Sequence, residues 1–274
     1  MDIRRLGPHI DPPLANVPRE MHALDVHIFQ TILRAPTRLS REGVPDEEDR
    51  AAFLASRGDV WGIAHASLLT NLASQDPRLR NGSMSALAGD ANLAAELGLA
   101  GVCFHVGYQK GHDSLDAALE LAARKLGEAV AKLKPGARLL IENGAEGSEL
   151  AKSPQEIARL LRGVGLPPDQ IGIVLDTCHL HVSTMDLSSA DAPERLAEEL
   201  SELGLIPYLA ALHLNDAQYP AGSGRDRHAP PGYGTINVGL LRLLENPVFA
   251  QLPCVLEMDV VDFQRGRDWI AARI

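Results

Sequence analysis

The sequence predicts a single-domain (β/α)₈ TIM barrel over residues 1–274. Three observations predict it: eight short apolar runs recur along the chain, helix-like segments separate them, and most of the runs end at a His, Asp or Glu. Strand and helix alternating in this way build a parallel barrel covered by helices, whose functional residues collect where the strands end.

The apolar runs lie at 5–9, 24–29, 61–64, 101–104, 138–141, 171–175, 208–212 and 254–256. Runs so short and so uniformly apolar suit strands buried on both faces. Between them, Ser114 is placed to cap an amphipathic stretch through Leu133 that sets Leu115, Leu119, Ala122, Leu126 and Val130 on one face. Ser153-Pro154-Gln155-Glu156 joins a capping box to a proline at the first helical position. Asp191-Ala192-Pro193-Glu194 uses related chemistry, and its helix closes at Gly204. Segments 237–246 and 262–274 complete the helical set, with a fainter helical pattern at 46–56. No internal repeat, low-complexity tract or linker divides the chain.

With 274 residues, 45% hydrophobic and 23% charged, the chain has the make-up of a globular protein with a substantial core. It has no apolar run of about 18 residues, and the N-terminal MDIRRLGPHIDPPL lacks the apolar stretch of a secretory signal. No membrane partner and a cytoplasmic location are therefore expected. Cys103, Cys178 and Cys254 lie far apart, each in or beside an apolar run, which reads as small buried side chains in a reducing compartment. The formal charge of −10 opposes a nucleic-acid partner unless bound cations offset it.

The strand ends carry the chemistry. His65, His105, Glu142, Asp176, His213 and Glu257 follow six of the runs, and His179, Asp226 and His228 stand in the loops after the sixth and seventh. Each has a plain alternative reading alone: a hydrogen-bonded His, a carboxylate paired with an arginine or a helix N-terminus, a turn-forming Asp176 with a capping His179, or a solvated loop around Asp226. Nine such side chains on one rim point instead to metal. Mixed imidazole and carboxylate ligands without Cys suit Zn²⁺ or Mn²⁺, and nine exceed what one ion uses, so two or three ions are implied.

The motifs AHASLLTNLAS (64–74), LLIENGAEG (139–147), IVLDTCHL (173–180), LHLNDAQYPAGSGRDRH (212–228) and VLEM (255–258) resemble the signature blocks of the endonuclease IV family, the class II apurinic/apyrimidinic endonucleases of the xylose isomerase-like superfamily. The likeness runs from about residue 60 to the C-terminus. It implies a TIM barrel with three Zn²⁺ ions, Mn²⁺ being an alternative at one or more positions, that hydrolyses double-stranded DNA on the 5′ side of an abasic site and leaves a 3′-hydroxyl. Carried onto this chain, it implies that His65 and His105 hold one ion and that Glu142 bridges to a second. Asp176, His213 and Glu257 would complete the ligand set of the second ion, and His179, Asp226 and His228 would hold a third. Glu142, Asp176 and Glu257 would then be catalytic as ligands that position the nucleophile. A monomer is expected.

Departures from the family pattern cluster in the first quarter and in the DNA-facing loops. Asp11-Pro12-Pro13-Leu14 stands where small residues and a double glycine are usual, and FHVGYQKG lacks the usual proline after its His. Leu68, followed by Leu69, takes the place of an aromatic that enters the base stack, and either could wedge into DNA or pack on the next helix. Arg34 or Arg38 would supply the basic partner of that wedge. Arg225 and Arg227, which flank Asp226, are further candidates for the phosphate backbone, as is Lys110. The rival reading is a sugar isomerase or epimerase of the same superfamily, using Glu142, Asp176, His213 and Glu257 alone. A third is a metal-loaded DNA-binding scaffold that no longer cleaves.

Overall fold

The structure, a computed structural model, describes residues 2–145 and 147–274, so that Glu146 of the 139–147 motif lies outside the described residues. The strands are Leu6–Pro8 (β1), Ile28–Ile32 (β2), Trp61–His65 (β3), Val102–His105 (β4), Leu139–Glu142 (β5), Ile171–Asp176 (β6), Leu209–His213 (β7), Asp216–Ala217 (β8), His228–Ala229 (β9) and Cys254–Leu256 (β10). All but β8 and β9 form one eight-stranded parallel sheet in the order β1-β10-β7-β6-β5-β4-β3-β2. A parallel bridge between His9 and Gln30, with Ile10 N–H donating to the Gln30 carbonyl at 2.8 Å, ties β1 to β2 and closes the barrel. Close approach at this seam needs Gly7, because a Cβ there would collide with the Ile28 carbonyl.

The helices are Val17–Leu24 (α1), Glu47–Ser56 (α2), Pro77–Glu96 (α3), Leu115–Val130 (α4), Pro154–Val164 (α5), Thr177–Ser183 (α6), Ala192–Glu202 (α7), Gly239–Glu245 (α8) and Val260–Ala271 (α9). Local chemistry sets several of their starts. Ser114 accepts from Ala117 N–H, Ser153 from Glu156 N–H and Asp259 from Asp262 N–H. The expected capping box is displaced by one residue, since the Glu156 carboxylate accepts from Lys152 N–H. Asp191 makes no side-chain cap, and Pro193 alone marks that helix start.

Two further differences from the sequence expectation have physical causes. The second strand begins at Ile28 rather than residue 24, because Val17, Met21 and Leu24 repeat at helical spacing and build α1, which ends at Asp25 in the left-handed region (φ 52°). The sequence reading named no helix at α3. Its buried face includes Ser83 and Asp90 beside many alanines, so hydrophobic contrast around the helix is faint.

Alternation along the strands gives two cores. Inside the barrel, Ile28, Ile63, Cys103, Leu140, Val174, Ala211 and Val255 form a compact plug. Outside it, the opposite strand faces pack against the helices, with Phe29, Phe53, Phe104, Phe249 and Phe263 fully buried. All three cysteines are free and buried, as the sequence suggested. No helix among the described residues is long and apolar enough to cross a membrane.

Arg34 is part of this framework rather than of a DNA wedge. It is 6% exposed, forms a two-pronged pair with Asp90 at 2.6 and 2.7 Å, and donates to the carbonyls of Leu39 and Ser40. Burial pushes the Asp90 carboxyl above its usual range although the guanidinium pulls the other way, so the pair fixes the loop after β2 more than it adds stability. Asp90→Ala would leave a buried guanidinium uncompensated. We expect it to cost about 3–5 kcal/mol by denaturant unfolding, with most of that recovered when Arg34 is also made apolar; a cost under about 1 kcal/mol would contradict this assignment.

Candidate metal centre

The strand register brings the six strand-end side chains to one mouth of the barrel. His65, His105, Glu142, Asp176 and His213 are the last residues of β3 to β7, and Glu257 follows β10 directly. Pairing sets His105 beside Glu142 and Asp176 beside His213. Asp176 also caps α6 by accepting from His179 N–H at 2.8 Å, so the turn-forming and ligand-type readings of the DTCH motif describe one arrangement. His228 opens β9, and Asp226 sits two residues before it in a loop held to α6 by Gly222 N–H to the His181 carbonyl and Gly224 N–H to the Val182 carbonyl.

The nine side chains fall into three overlapping or adjoining groups whose nearest nitrogen and oxygen atoms lie within 4.8 Å of one another: His65, His105 and Glu142; Glu142, Asp176, His213 and Glu257; and His179, Asp226 and His228. Glu142, 1% exposed, belongs to the first two. Its Oε2 lies 3.0 Å from His65 Nε2 and 3.5 Å from His105 Nε2, and its Oε1 lies 2.9 Å from His213 Nδ1. In the third group Asp226 is 3.2 Å from the Nε2 atoms of both His179 and His228. His228 Nε2 is also 3.6 Å from Asp176, which joins the third group to the second.

This donor set fits divalent ions. The charged partners found for Glu142, Asp176 and Glu257 among the described residues are all imidazoles, which give up a proton to take an ion, whereas an arginine or lysine could not be exchanged for a metal. Remote atoms are held as metal ligands require. His65 Nδ1 faces the Ala66 carbonyl at 2.8 Å and His179 Nδ1 the Asn143 carbonyl at 2.8 Å. Asn215 donates to Asp176 Oδ2 at 2.6 Å and accepts from Glu257 N–H at 2.9 Å.

The electrostatics are those of nine buried or half-buried groups sharing protons. Burial alone would raise Glu142, but the His105 and His213 charges, with hydrogen bonds from His213 and His65, hold it well below the usual carboxylate range. Burial is likewise outweighed at Glu257, chiefly by His213, and at Asp226, by hydrogen bonds from His179 and His228; both lie below their ordinary range. At Asp176 burial wins and the carboxyl is raised. Burial lowers His105, whereas His179 and His213 end well above their usual value because the surrounding carboxylates outweigh it.

Above the groups lies a cleft of about 690 Å³ whose floor includes His65, His105, Glu142 and His228, and whose walls include His9, Asp11, Pro12, Pro36, Leu68 and Met258. Leu68 and Leu69 are 58% and 46% exposed, so they are not packed on the next helix. Leu68 N–H and Ser67 Oγ both donate to the Pro36 carbonyl, tying this pair to the loop that carries exposed Arg38, itself 3.3 Å from Glu42. Arg225 stacks on Tyr219 at 3.6 Å and donates to its hydroxyl. Lys110 is exposed.

Sequence reasoning missed Gln30, Asn143 and Asn215, which hold the ligand-type side chains, and His9 on the cleft wall. The available signal was an amide within the apolar run IFQTIL, hidden by ending the second strand at residue 29.

Without an ion, burial opposes protonation of His228, but the Asp176 charge and the Asp226 hydrogen bond raise it to about 9. A histidine so raised stabilises the metal-free fold fully below its unfolded value near 6.5, and that contribution is lost as pH rises through about 9. Metal uptake at pH 7 must therefore displace protons. Calorimetry in buffers of different ionisation heat should show net proton release and an affinity that climbs with pH toward about 9; uptake without proton release would contradict His228 as a ligand.

Known proteins place the chain. A family model described as Xylose isomerase-like TIM barrel matches residues 19–273. The protein named "Probable endonuclease 4" of Campylobacter concisus is 32% identical over 263 residues, covering 93% of this chain and 92% of the relative. Its namesake from Chlorobium phaeovibrioides is 34% identical over 197 residues, covering 71% and 70%. Among solved structures, endonuclease IV from Thermus thermophilus superposes with a TM-score of 0.79 at 25% identity over 98% of this chain and 99% of that one. A D-tagatose 3-epimerase-like protein shares the fold, with a TM-score of 0.74 at 17% identity over 97% and 96%. The chain belongs to the endonuclease IV family of xylose isomerase-like TIM barrels.

Proposed function

We propose that the protein is a metal-dependent DNA repair endonuclease that hydrolyses the phosphodiester bond 5′ to an abasic site, leaving a 3′-hydroxyl, with three Zn²⁺ ions in the three ligand groups. The observation that carries this reading is the third group. A sugar epimerase needs only the set Glu142, Asp176, His213 and Glu257, whereas His179, Asp226 and His228 adjoin that set here through the 3.6 Å approach of His228 to Asp176.

Divalent ions held by such groups lower the pKa of water toward neutrality and offset the negative charge that builds on a phosphate in hydrolysis. The chain's own side chains fix where that chemistry occurs. Glu142 joins the first group to the second, and Asp176 approaches the third, so a single phosphate seated in the cleft would lie within reach of all three. Leu68 and Leu69, exposed beside the cleft, are suited to fill the gap left by a missing base, which lets an apolar pair stand in for an aromatic wedge. Arg38, Arg225 and Arg227 are assigned to backbone phosphates on the flanking nucleotides. Three divalent ions would bring the formal charge from −10 to about −4 and concentrate the positive charge at the mouth, so an acidic chain can still take duplex DNA.

Incubation of metal-loaded protein with a duplex carrying one abasic analogue should give a nick 5′ to the lesion whose 3′ end a polymerase extends. No nick, together with turnover of a ketose, would favour the epimerase reading. His228→Ala should lower the ion content and reduce cleavage at least about 100-fold while the barrel stays folded by circular dichroism. Full activity in that variant would remove the third group from the reaction.

A further inference from the structure

Gln30 lies on β2 at the seam where the barrel closes, its side chain on the inner face and without solvent exposure. Its amide meets three groups. Nε2 is 2.6 Å from Glu257 Oε1 and 3.2 Å from His9 Nδ1, while Oε1 is 2.8 Å from His213 Nε2. These contacts admit one reading of the protons. A carboxylate accepts only, so the amide nitrogen faces Glu257 and the amide oxygen faces His213. An amide oxygen also accepts only, so His213 carries hydrogen on Nε2. The nitrogen left free to bind an ion is Nδ1, which is the atom 2.9 Å from Glu142 and 3.1 Å from Glu257 within the four-residue group.

We propose that Gln30 is a positioning residue for this centre, selecting Nδ1 of His213 as the ligating nitrogen and holding Glu257 with its Oε2 toward His213. The proposal rests on the reading of this mouth as a metal centre. One uncharged side chain thereby orients a ligand from β7 and a ligand following β10 from a third strand across the barrel. The same amide offers its second N–H to His9 Nδ1, which leaves the His9 N–H on Nε2, 3.5 Å from Asp11 on the cleft wall. Removing the amide would take this partner from His213 Nε2 and leave Glu257 held through Oε2, by Asn215 Nδ2 at 3.3 Å and His213 Nδ1 at 3.1 Å, so that both ligands gain freedom to turn.

Three measurements test this apart from activity. In Gln30→Met, an apolar side chain of similar length, competition with a chelator should show ion affinity weakened about 10–100-fold, and the visible absorption of the Co²⁺-loaded protein should shift. Thr31→Val, on the same strand but facing the helices, should change neither. In the unmutated protein loaded with Zn²⁺, long-range ¹H–¹⁵N spectra should show His213 ligated through Nδ1 and protonated on Nε2. Ligation through Nε2, or Gln30→Met with unchanged affinity and spectrum, would overturn the proposal while leaving the metal centre intact. No ion uptake by the unmutated protein would defeat the underlying metal reading and this inference with it.

Discussion

Glu142 sits at the middle of the barrel mouth with the imidazoles of His65, His105, His179 and His213 between 2.9 and 3.5 Å from its two oxygens. Burying a carboxylate costs several kcal/mol unless charge is returned to it, and three further carboxylates share the site. The histidines return that charge as protons, or they stand aside for ions that return more of it. Either way, the mouth cannot contribute to stability as an apolar core would. Beneath it the barrel interior is a thin plug of seven small or medium side chains, and most of the apolar burial lies between strands and helices. The outer layer holds the barrel so that the inner mouth can hold charge.

Much of this was legible in the chain because the period of a strand and the position of its last residue are both written locally. Apolar runs located seven of the eight barrel strands to within a residue or two, and the residue ending or following each of six runs proved to face the same mouth. The second strand was misplaced because the helical spacing of Val17, Met21 and Leu24 competes with the apolar run that begins at Leu24. That displacement concealed Gln30, whose importance depends on His213 and Glu257, more than 180 residues away, and so has no local signature. Asn143 and Asn215 stand within the motifs, but their hydrogen bonds to the ligand-type Asp176 appear only in the three-dimensional contacts.

The cleft walls record where this chain departs from its family's pattern. Asp11 and Pro12 line one side, where small residues would leave more room, and exposed Leu68 stands on another where an aromatic is usual. Leu68 is tied through its backbone to Pro36, which joins the apolar pair to the loop bearing Arg38, whereas Arg34 is withdrawn into the framework by Asp90. Next to Asp226 in sequence, Arg225 stacks on Tyr219, which restrains its guanidinium. The nine ligand-type side chains match the pattern that the family resemblance implies, while the departures from that pattern lie on the walls around them.

The proposed function requires that three ions occupy three defined groups. Anomalous diffraction at the zinc edge from crystals of the metal-loaded protein tests it most directly. Three peaks are expected: between His65, His105 and Glu142; within Glu142, Asp176, His213 and Glu257; and among His179, Asp226 and His228. A single peak confined to the four-residue group in fully loaded crystals would contradict it.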